Sequence, residues 1–304
     1  MKGAASRVIA LATVLCAIGG AARAADSDVT DSDRLWANFN REAAVLGAGK
    51  LWLEMTGMAL MNDQSIQQFD SNNKPFEGPT LGLNGYPLNS PHRCDLMTTS
   101  GTTGRCISSI DGGRFDMIAS YGLFANTEVG IDFPFVMQER IKYVDGGNQE
   151  NADIGDMVLY GKIKRQLAEN WAGALGVELS LPSGSLEKFF GSGDFGANPF
   201  MSTRYTAGRV AVGAHVGMLL NTGDQPDVFN WDVNAIARAN PLLALRCEID
   251  GRVFRDAGNF NDVSIWPGFD FNLTDYLVIR PQGLAHITSD AINWGIGVGV
   301  AVTL

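Results

Sequence analysis

The last eleven residues of the chain, Trp294 to Leu304, read WGIGVGVAVTL. Trp294, Ile296, Val298, Val300, Val302 and Leu304 fall on one face, and Gly295, Gly297, Gly299, Ala301 and Thr303 on the other. A period of two belongs to an extended strand, whose successive side chains point to opposite faces. Eleven residues is also the length with which a tilted strand crosses a bilayer.

The same alternation recurs upstream, with charge on the second face. Leu243, Leu245, Cys247, Ile249, Gly251 and Val253 oppose Ala244, Arg246, Glu248, Asp250, Arg252 and Phe254. Phe229, Trp231, Val233, Ala235 and Ala237 oppose Asn230, Asp232, Asn234 and Arg238. Val129, Ile131, Phe133, Phe135 and Met137 oppose Glu128, Asp132, Gln138 and Arg140. Alternation alone describes any half-buried antiparallel sheet, so the connections must separate a soluble sandwich from a membrane barrel.

About twelve strand segments can be drawn, with ends good to a few residues: 47–61, 113–124, 127–138, 153–166, 171–182, 199–207, 209–221, 227–238, 242–254, 261–272, 275–287 and 291–304. Connections after even-numbered segments are tiny, such as Ala125-Asn126, Gly208 and Leu273-Thr274. Most of those after odd-numbered segments are longer, above all a first loop spanning 62–112. Short turns at one rim, long loops at the other, an even strand count and both termini on the short-turn side predict an all-β, antiparallel transmembrane barrel with periplasmic turns and extracellular loops. Pro134, Pro267 and Pro281 interrupt strand segments and predict bulges or strand ends there.

The start of the chain agrees with export. Lys2 and Arg7 precede an apolar run from Val8 to Ala22, and Ala22-Arg23-Ala24 has the small-x-small form of a signal-peptidase site. Cleavage after Ala24 leaves one barrel domain, 25–304, bound for a Gram-negative outer membrane. Cys16 lacks the preceding small residue that lipidation requires. Losing Lys2, Arg7 and Arg23 deepens the formal net charge from −10 to −13, which argues against nucleic acid as a partner. No later stretch has the continuous apolar length of a membrane helix. In an oxidising compartment Cys94 and Cys106 are candidates for a loop-closing disulfide. A metal site there would need more ligands than His92 supplies, and Cys247 reads as a small hydrophobe.

Two stretches carry a family resemblance: GDMVLYGKIK, from Gly155 to Lys164, and WAGALGVELSLPSGS, from Trp171 to Ser185. They resemble the outer-membrane β-barrel family named for the meta-cleavage (MetA) pathway of phenol degradation, over the second half of the chain from Asp153 onward. The resemblance implies an outer-membrane protein that moves small hydrophobic or aromatic compounds, and it brings no catalytic residues. The chain ends in Leu304 where such barrels usually end in an aromatic residue.

Charge on a lipid-facing wall costs a few kcal/mol near the midplane, so the charged faces must point into the lumen. The candidate lumen-lining residues are Asp132, Arg140, Lys162, Glu178, Arg204, Asp232, Arg238, Arg246, Glu248, Asp250, Arg252 and Arg280. Arg238, Arg246, Arg252 and Arg280 are the best candidates for a basic stripe facing acids across the lumen. Outward aromatics, among them Phe115, Tyr121, Phe133, Tyr205, Phe229, Trp231, Phe269, Phe271 and Trp294, suit interfacial girdles. Carboxylates in the loop from Asn221 to Asp227, with Asp256 and Asp262, read as solvated rim residues or, less simply, cation ligands.

Three functions compete. A passive channel for small molecules, hydrophobic or aromatic ones among them, takes a mixed polar lumen, no cofactor and no metal. Its expected surroundings are outer-membrane lipid and lipopolysaccharide, and it is expected to be a monomer. A lipid-modifying enzyme would use His215 or His286 as base beside Ser180 or Ser202. An adhesive barrel would present the first loop. Gly191, Gly193 and Gly196 spell G-x-G-x-x-G, but no helix pattern follows them, so loop glycines with positive φ are expected rather than a nucleotide cradle.

Overall fold

The computed structural model describes residues 41–62, 107–143, 147–185, 190–223, 227–254, 260–287 and 294–304. The leader, most of the first loop, and Cys94 with Cys106 lie outside them. Thirteen strands follow in chain order: β1 (Leu51–Asn62), β2 (Ile107–Phe124), β3 (Thr127–Tyr143), β4 (Asn148–Asp153), β5 (Met157–Ala168), β6 (Trp171–Leu181), β7 (Gly196–Ala207), β8 (Val210–Asn221), β9 (Val228–Asn240), β10 (Leu243–Phe254), β11 (Phe260–Thr274), β12 (Leu277–His286) and β13 (Trp294–Thr303).

Every neighbour in the sheet is antiparallel, and β1 pairs with both β2 and β13, so the wall is a closed ring. The seam is finished by Leu51 N donating to Leu304 O at 2.9 Å and Leu304 N to Leu51 O at 2.7 Å. β4 and β5 together fill one place in that ring. β4 pairs with the outer part of β3, from Lys142↔Asn148 to Met137↔Asp153, and β5 with its inner part, from Asp132↔Val158 to Thr127↔Ile163. The barrel therefore has twelve staves, and the connection between the predicted segments 127–138 and 153–166 is a β3–β4 hairpin projecting from the long-loop rim. Two-residue turns at Ala125-Asn126, Glu169-Asn170, Gly208-Arg209, Pro241-Leu242 and Asp275-Tyr276 all lie at the opposite rim.

Burial follows the period-two pattern with the sense of a water-soluble protein reversed. Ile296, Val298 and Val300 of β13 are exposed, whereas Lys162 and Arg280 are almost wholly buried, at 1% and 2%. Large apolar side chains cover the outside and charges fill the inside. Of the outward aromatics, Phe115, Tyr121, Tyr205, Phe229, Phe269, Phe271 and Trp294 are exposed as expected. Trp231 and Phe133 are half-buried. Trp231 lies flat over Gly251, where an added Cβ would come within 2.3 Å of its ring.

Pro134 marks an irregularity inside a strand, whereas Pro267 and Pro281 sit within strands of continuous register, paired Cys247↔Pro267 and Pro281↔Val298, and so are neither bulges nor strand ends. Asp116 pairs with Pro134 and the adjacent Phe115 with Val136, so Phe135 is the extra residue of a bulge. Beyond it the alternation of β3 changes sign. This corrects the expectation for Arg140. Arg140 pairs with Asp111 on the outer face, remains exposed, and holds Glu150 at 2.8 Å on the projecting hairpin. The β11–β12 ladder keeps one register past Pro267, from Ile265↔Ala285 to Gly268↔Gln282, and shifts only between Asn272 and Thr274 beside the short turn.

A charge placed on the outer wall should be costly in lipid and tolerated nowhere near its middle. Met201→Lys, at an exposed outward position halfway along β7, is expected to destabilise the barrel in a bilayer by about 2–4 kcal/mol. Urea unfolding in lipid vesicles would measure the loss.

Candidate functional site

The lumen holds a segment of the chain itself. Residues 41–47 precede β1 and run as an irregular strap inside the wall, with Glu42, Ala43, Ala44, Val45 and Leu46 all buried. The chain turns back to join β1 through Gly49, which has φ 79° and donates its N–H to Gly122 O at 2.7 Å. Gly122 has no room for a side chain, because a Cβ there would stand 2.0 Å from Gly47 O. The start of β1 thus sits at the short-turn rim as predicted, but the chain before it enters the lumen instead of leaving on that side.

The strap is amphipathic along its length, and the wall matches it. Leu46 sits in an apolar ring near the short-turn rim made by Trp52, Ile236, Ala244, Val278 and Ala301. Leu46 N donates to Glu128 Oε2 at 2.8 Å. Deeper in, Ala43 packs on Ala172 and Ala174 of β6. Glu42 ion-pairs with Arg204, and its carbonyl accepts from Lys162 Nζ at 3.1 Å. Arg41 makes a two-pronged contact with Glu178, whose second oxygen also accepts from Asn198 Nδ2 at 2.7 Å. Glu178 stands seven residues above Trp171, so the strap climbs about 18 Å from the rim at ordinary strand rise and tilt.

The other predicted lumen residues fall into separate groups. Arg280 reaches Glu54 at 2.9 Å and Asp270 at 3.4 Å, lies over the Trp52 ring, and shares Asp270 with Arg246. Two members of the expected basic stripe are therefore spent on acids beside them, not aimed across the lumen. Arg238 and Arg252 are half-buried near opposite ends of β9 and β10. Asp232 faces Asp250 directly in register, with Glu248 close by, so three acids share one sector of the wall. Asp250 accepts from Trp266 Nε1 at 2.7 Å and from Ser264. Glu248 Oε2 and Asp132 Oδ1 are buried without a protein hydrogen-bond partner.

Ser202, His215 and Asp232 occupy one row across β7, β8 and β9. His215 Nδ1 lies 3.1 Å from Asp232 Oδ2 as an ion-pair contact out of line for a hydrogen bond, and Nε2 and Ser202 Oγ are unpaired. The Phe200 ring lies beside the imidazole, 5.3 Å away between centroids. Among the described residues no cluster of His, Cys, Asp and Glu could hold a metal, and Asp227 caps the loop amide of Asn221 at 3.1 Å. Cys247 is a free, half-buried thiol.

Only one of the three G-x-G-x-x-G glycines has the expected positive φ, Gly193 at 72°. Gly191 is required by crowding, since its Cβ would meet Gly184 O at 2.5 Å, and Gly196 already belongs to β7. Where a phosphate might have been sought, Asp156 accepts from Gly184 N at 3.0 Å and Ser192 N at 2.6 Å, so this loop is closed by a carboxylate of its own.

No protein-family model and no curated protein matches the chain. Solved structures share the architecture distantly. The KdgM porin in complex with disordered oligogalacturonate is 9% identical, with a TM-score of 0.46 over 63% of this chain and 92% of that one. The translocator domain of autotransporter NalP from Neisseria meningitidis is 10% identical, with a TM-score of 0.46 over 90% and 91%. The CymD monoaromatic hydrocarbon channel is 9% identical, with a TM-score of 0.42 over 85% and 88%.

Ala44 is 1% exposed within the strap. In a protein with its native cysteines replaced, Ala44→Cys is expected to resist a water-soluble maleimide. Adding Glu42→Ala and Glu178→Ala, which remove a buried partner from Arg204 and Arg41, should expose it. Labelling yield on folded protein in liposomes reads the difference.

Proposed function

We propose that the chain is an outer-membrane channel that passes small solutes passively and has the short-turn half of its lumen closed by the strap of residues 41–47. The outer-membrane location rests on the inside-out wall, a closed ring of strands with apolar side chains outside and charges within. Transport rests on one observation: at the level of the strap, the lumen is filled by a separate stretch of chain held by ion pairs, not by interlocked wall side chains. A ring of twelve strands encloses more space than its own inward side chains fill, so removing the strap leaves a polar path. The resemblance of the Gly155–Lys164 and Trp171–Ser185 stretches to the phenol-pathway family supports aromatic or hydrophobic compounds as solutes.

A hydrolytic reading has the Ser202–His215–Asp232 row on its side. Its serine and imidazole are not hydrogen-bonded to each other. The row supports catalysis less than the strap supports gating.

Discrete conductance steps are expected in planar bilayers containing the full chain, with Arg41→Ala/Glu42→Ala open for a larger fraction of the time than the wild type. Absence of steps from both proteins would sink the channel reading. Ester hydrolysis by the wild type that His215→Ala abolishes would favour the second reading instead.

A further inference from the structure

Resting on the channel reading, we infer that three acids of β9 and β10, with Trp266 beside them, form a binding site for a small organic cation with a flat apolar body, and that the channel favours solutes of this kind.

The acids meet because three inward positions fall side by side on two neighbouring strands. Asp232 faces Asp250 in register, and Glu248 precedes Asp250 by two positions on the same face. Neutral donors orient the two aspartates. Asn234 Nδ2 donates to Asp232 Oδ1 at 3.1 Å, and Asp250 accepts from Trp266 Nε1 at 2.7 Å and from Ser264. A neutral donor fixes a carboxylate in place without cancelling its charge. Asp270 on β11 shows the alternative, since Arg246 and Arg280 clasp it.

The bases around this sector are largely spent on other acids. His215 meets Asp232 alone, through Nδ1. Arg246 acts on Glu248 but is engaged by Asp270 and Gln282. Arg252, the next inward residue of β10, stands opposite Asp262 in register. From the strap, Arg41 acts on Asp232 and Glu248 across the lumen while its two-pronged contact goes to Glu178. Glu42 adds a further negative charge near Glu248. Glu248 is 6% exposed, and its Oε2 has no hydrogen-bond partner. A buried carboxylate in that state is costly unless a cation reaches it.

The surroundings select the kind of cation. Among the described residues no group could hold a metal ion. Trp266 is half-buried and in register with Glu248, which sets an indole against the acids. On the other side of the sector the Phe200 ring lies beside His215. An ammonium head is attracted to an aromatic face as well as to a carboxylate, and a flat apolar body gains by covering the ring. The Arg41 side chain at the top of the strap remains 39% exposed, so water and solute reach this level from the long-loop side. Binding displaces nothing, because Arg41 keeps Glu178. Acids concentrated between low-dielectric walls raise the local concentration of cations, and a path that runs past them passes cations in preference.

The test is calorimetric titration of the folded full chain in detergent with benzylammonium chloride, methylammonium chloride or sodium benzoate at equal ionic strength. Benzylammonium is expected to bind saturably, methylammonium about tenfold more weakly for want of the ring, and benzoate not at all. Glu248→Gln should weaken benzylammonium about tenfold, the worth of one hydrogen bond to a charged group. Trp266→Leu should bring benzylammonium down towards methylammonium. Benzoate bound as tightly as benzylammonium, or a folded Glu248→Gln protein of unchanged affinity, would overturn the proposal. If Glu248→Gln lacks the heat-modifiable migration of a folded barrel, benzylammonium against benzoate on the wild type decides alone. Passage is read separately, from the reversal potential of Arg41→Ala/Glu42→Ala in a potassium chloride gradient. Potassium should be preferred over chloride there, and adding Glu248→Gln should reduce the preference. Conductance with neither cation preference nor benzylammonium binding removes the site and leaves the channel. Saturable benzylammonium binding with no conductance from any of these proteins removes the channel and leaves the site.

Discussion

The reciprocal hydrogen bonds between Leu51 and Leu304 close the wall, and closure dictates the rest of the molecule. A ring of strands leaves no free edge, so every stave satisfies its backbone against two neighbours and the outer face is free to be apolar. Glycine and alanine on the inward side of β13 let β1 and β12 come close from either side. Gly297, for one, is crowded by Met58 and Gly57 O. The charged residues then have only the lumen to occupy, and a lumen with that many buried charges must pair them.

Pairing explains why the strap is held where it is. Exposed ion pairs such as Arg140–Glu150 on the projecting hairpin contribute about 0–1 kcal/mol. Breaking a buried pair by removing one partner costs about 3–5 kcal/mol. The strap has one contact of the second kind, Glu42 with Arg204, a partly exposed pair between Arg41 and Glu178, and an apolar seat for Leu46. Arg280 and Arg246, clasped around Asp270, stiffen the wall beside that seat without touching the strap's charged end. One set of ion pairs thus belongs to the wall and another to a removable segment.

The ring was legible in the sequence because period two survives without tertiary context. Trp294 to Leu304 declares its two faces on its own, and five two-residue turns reveal which rim is which. The faces of β9, β10 and β13 were all readable this way. Arg140 was misplaced because a one-residue bulge at Phe135 reverses every side chain beyond it, and Pro134 signals an irregularity without saying which way the count shifts. The strap was missed for a different reason. Residues 41–46 have no period, and the partners that define them, Glu178 and Arg204, lie more than a hundred positions away. Glu42 next to a short apolar run, just before the first strand, was the available hint. The stripe of arginines was visible as charge, but only coordinates could show that Asp270 and Glu54 neutralise two of them locally.

The seam also fixes the order in which this molecule can be made. It joins the first strand to the last, across the longest loop the chain can close, and the entropy of that closure is recovered only when β13 arrives. Until then β1 and β12 each expose an unpaired edge, and any partial sheet is open to foreign strands. The strap lies immediately upstream of β1 and enters the lumen at the short-turn rim beside this seam. The last strand to be made therefore also completes the wall on which the strap's apolar seat depends, since Ala301 of β13 is part of that seat.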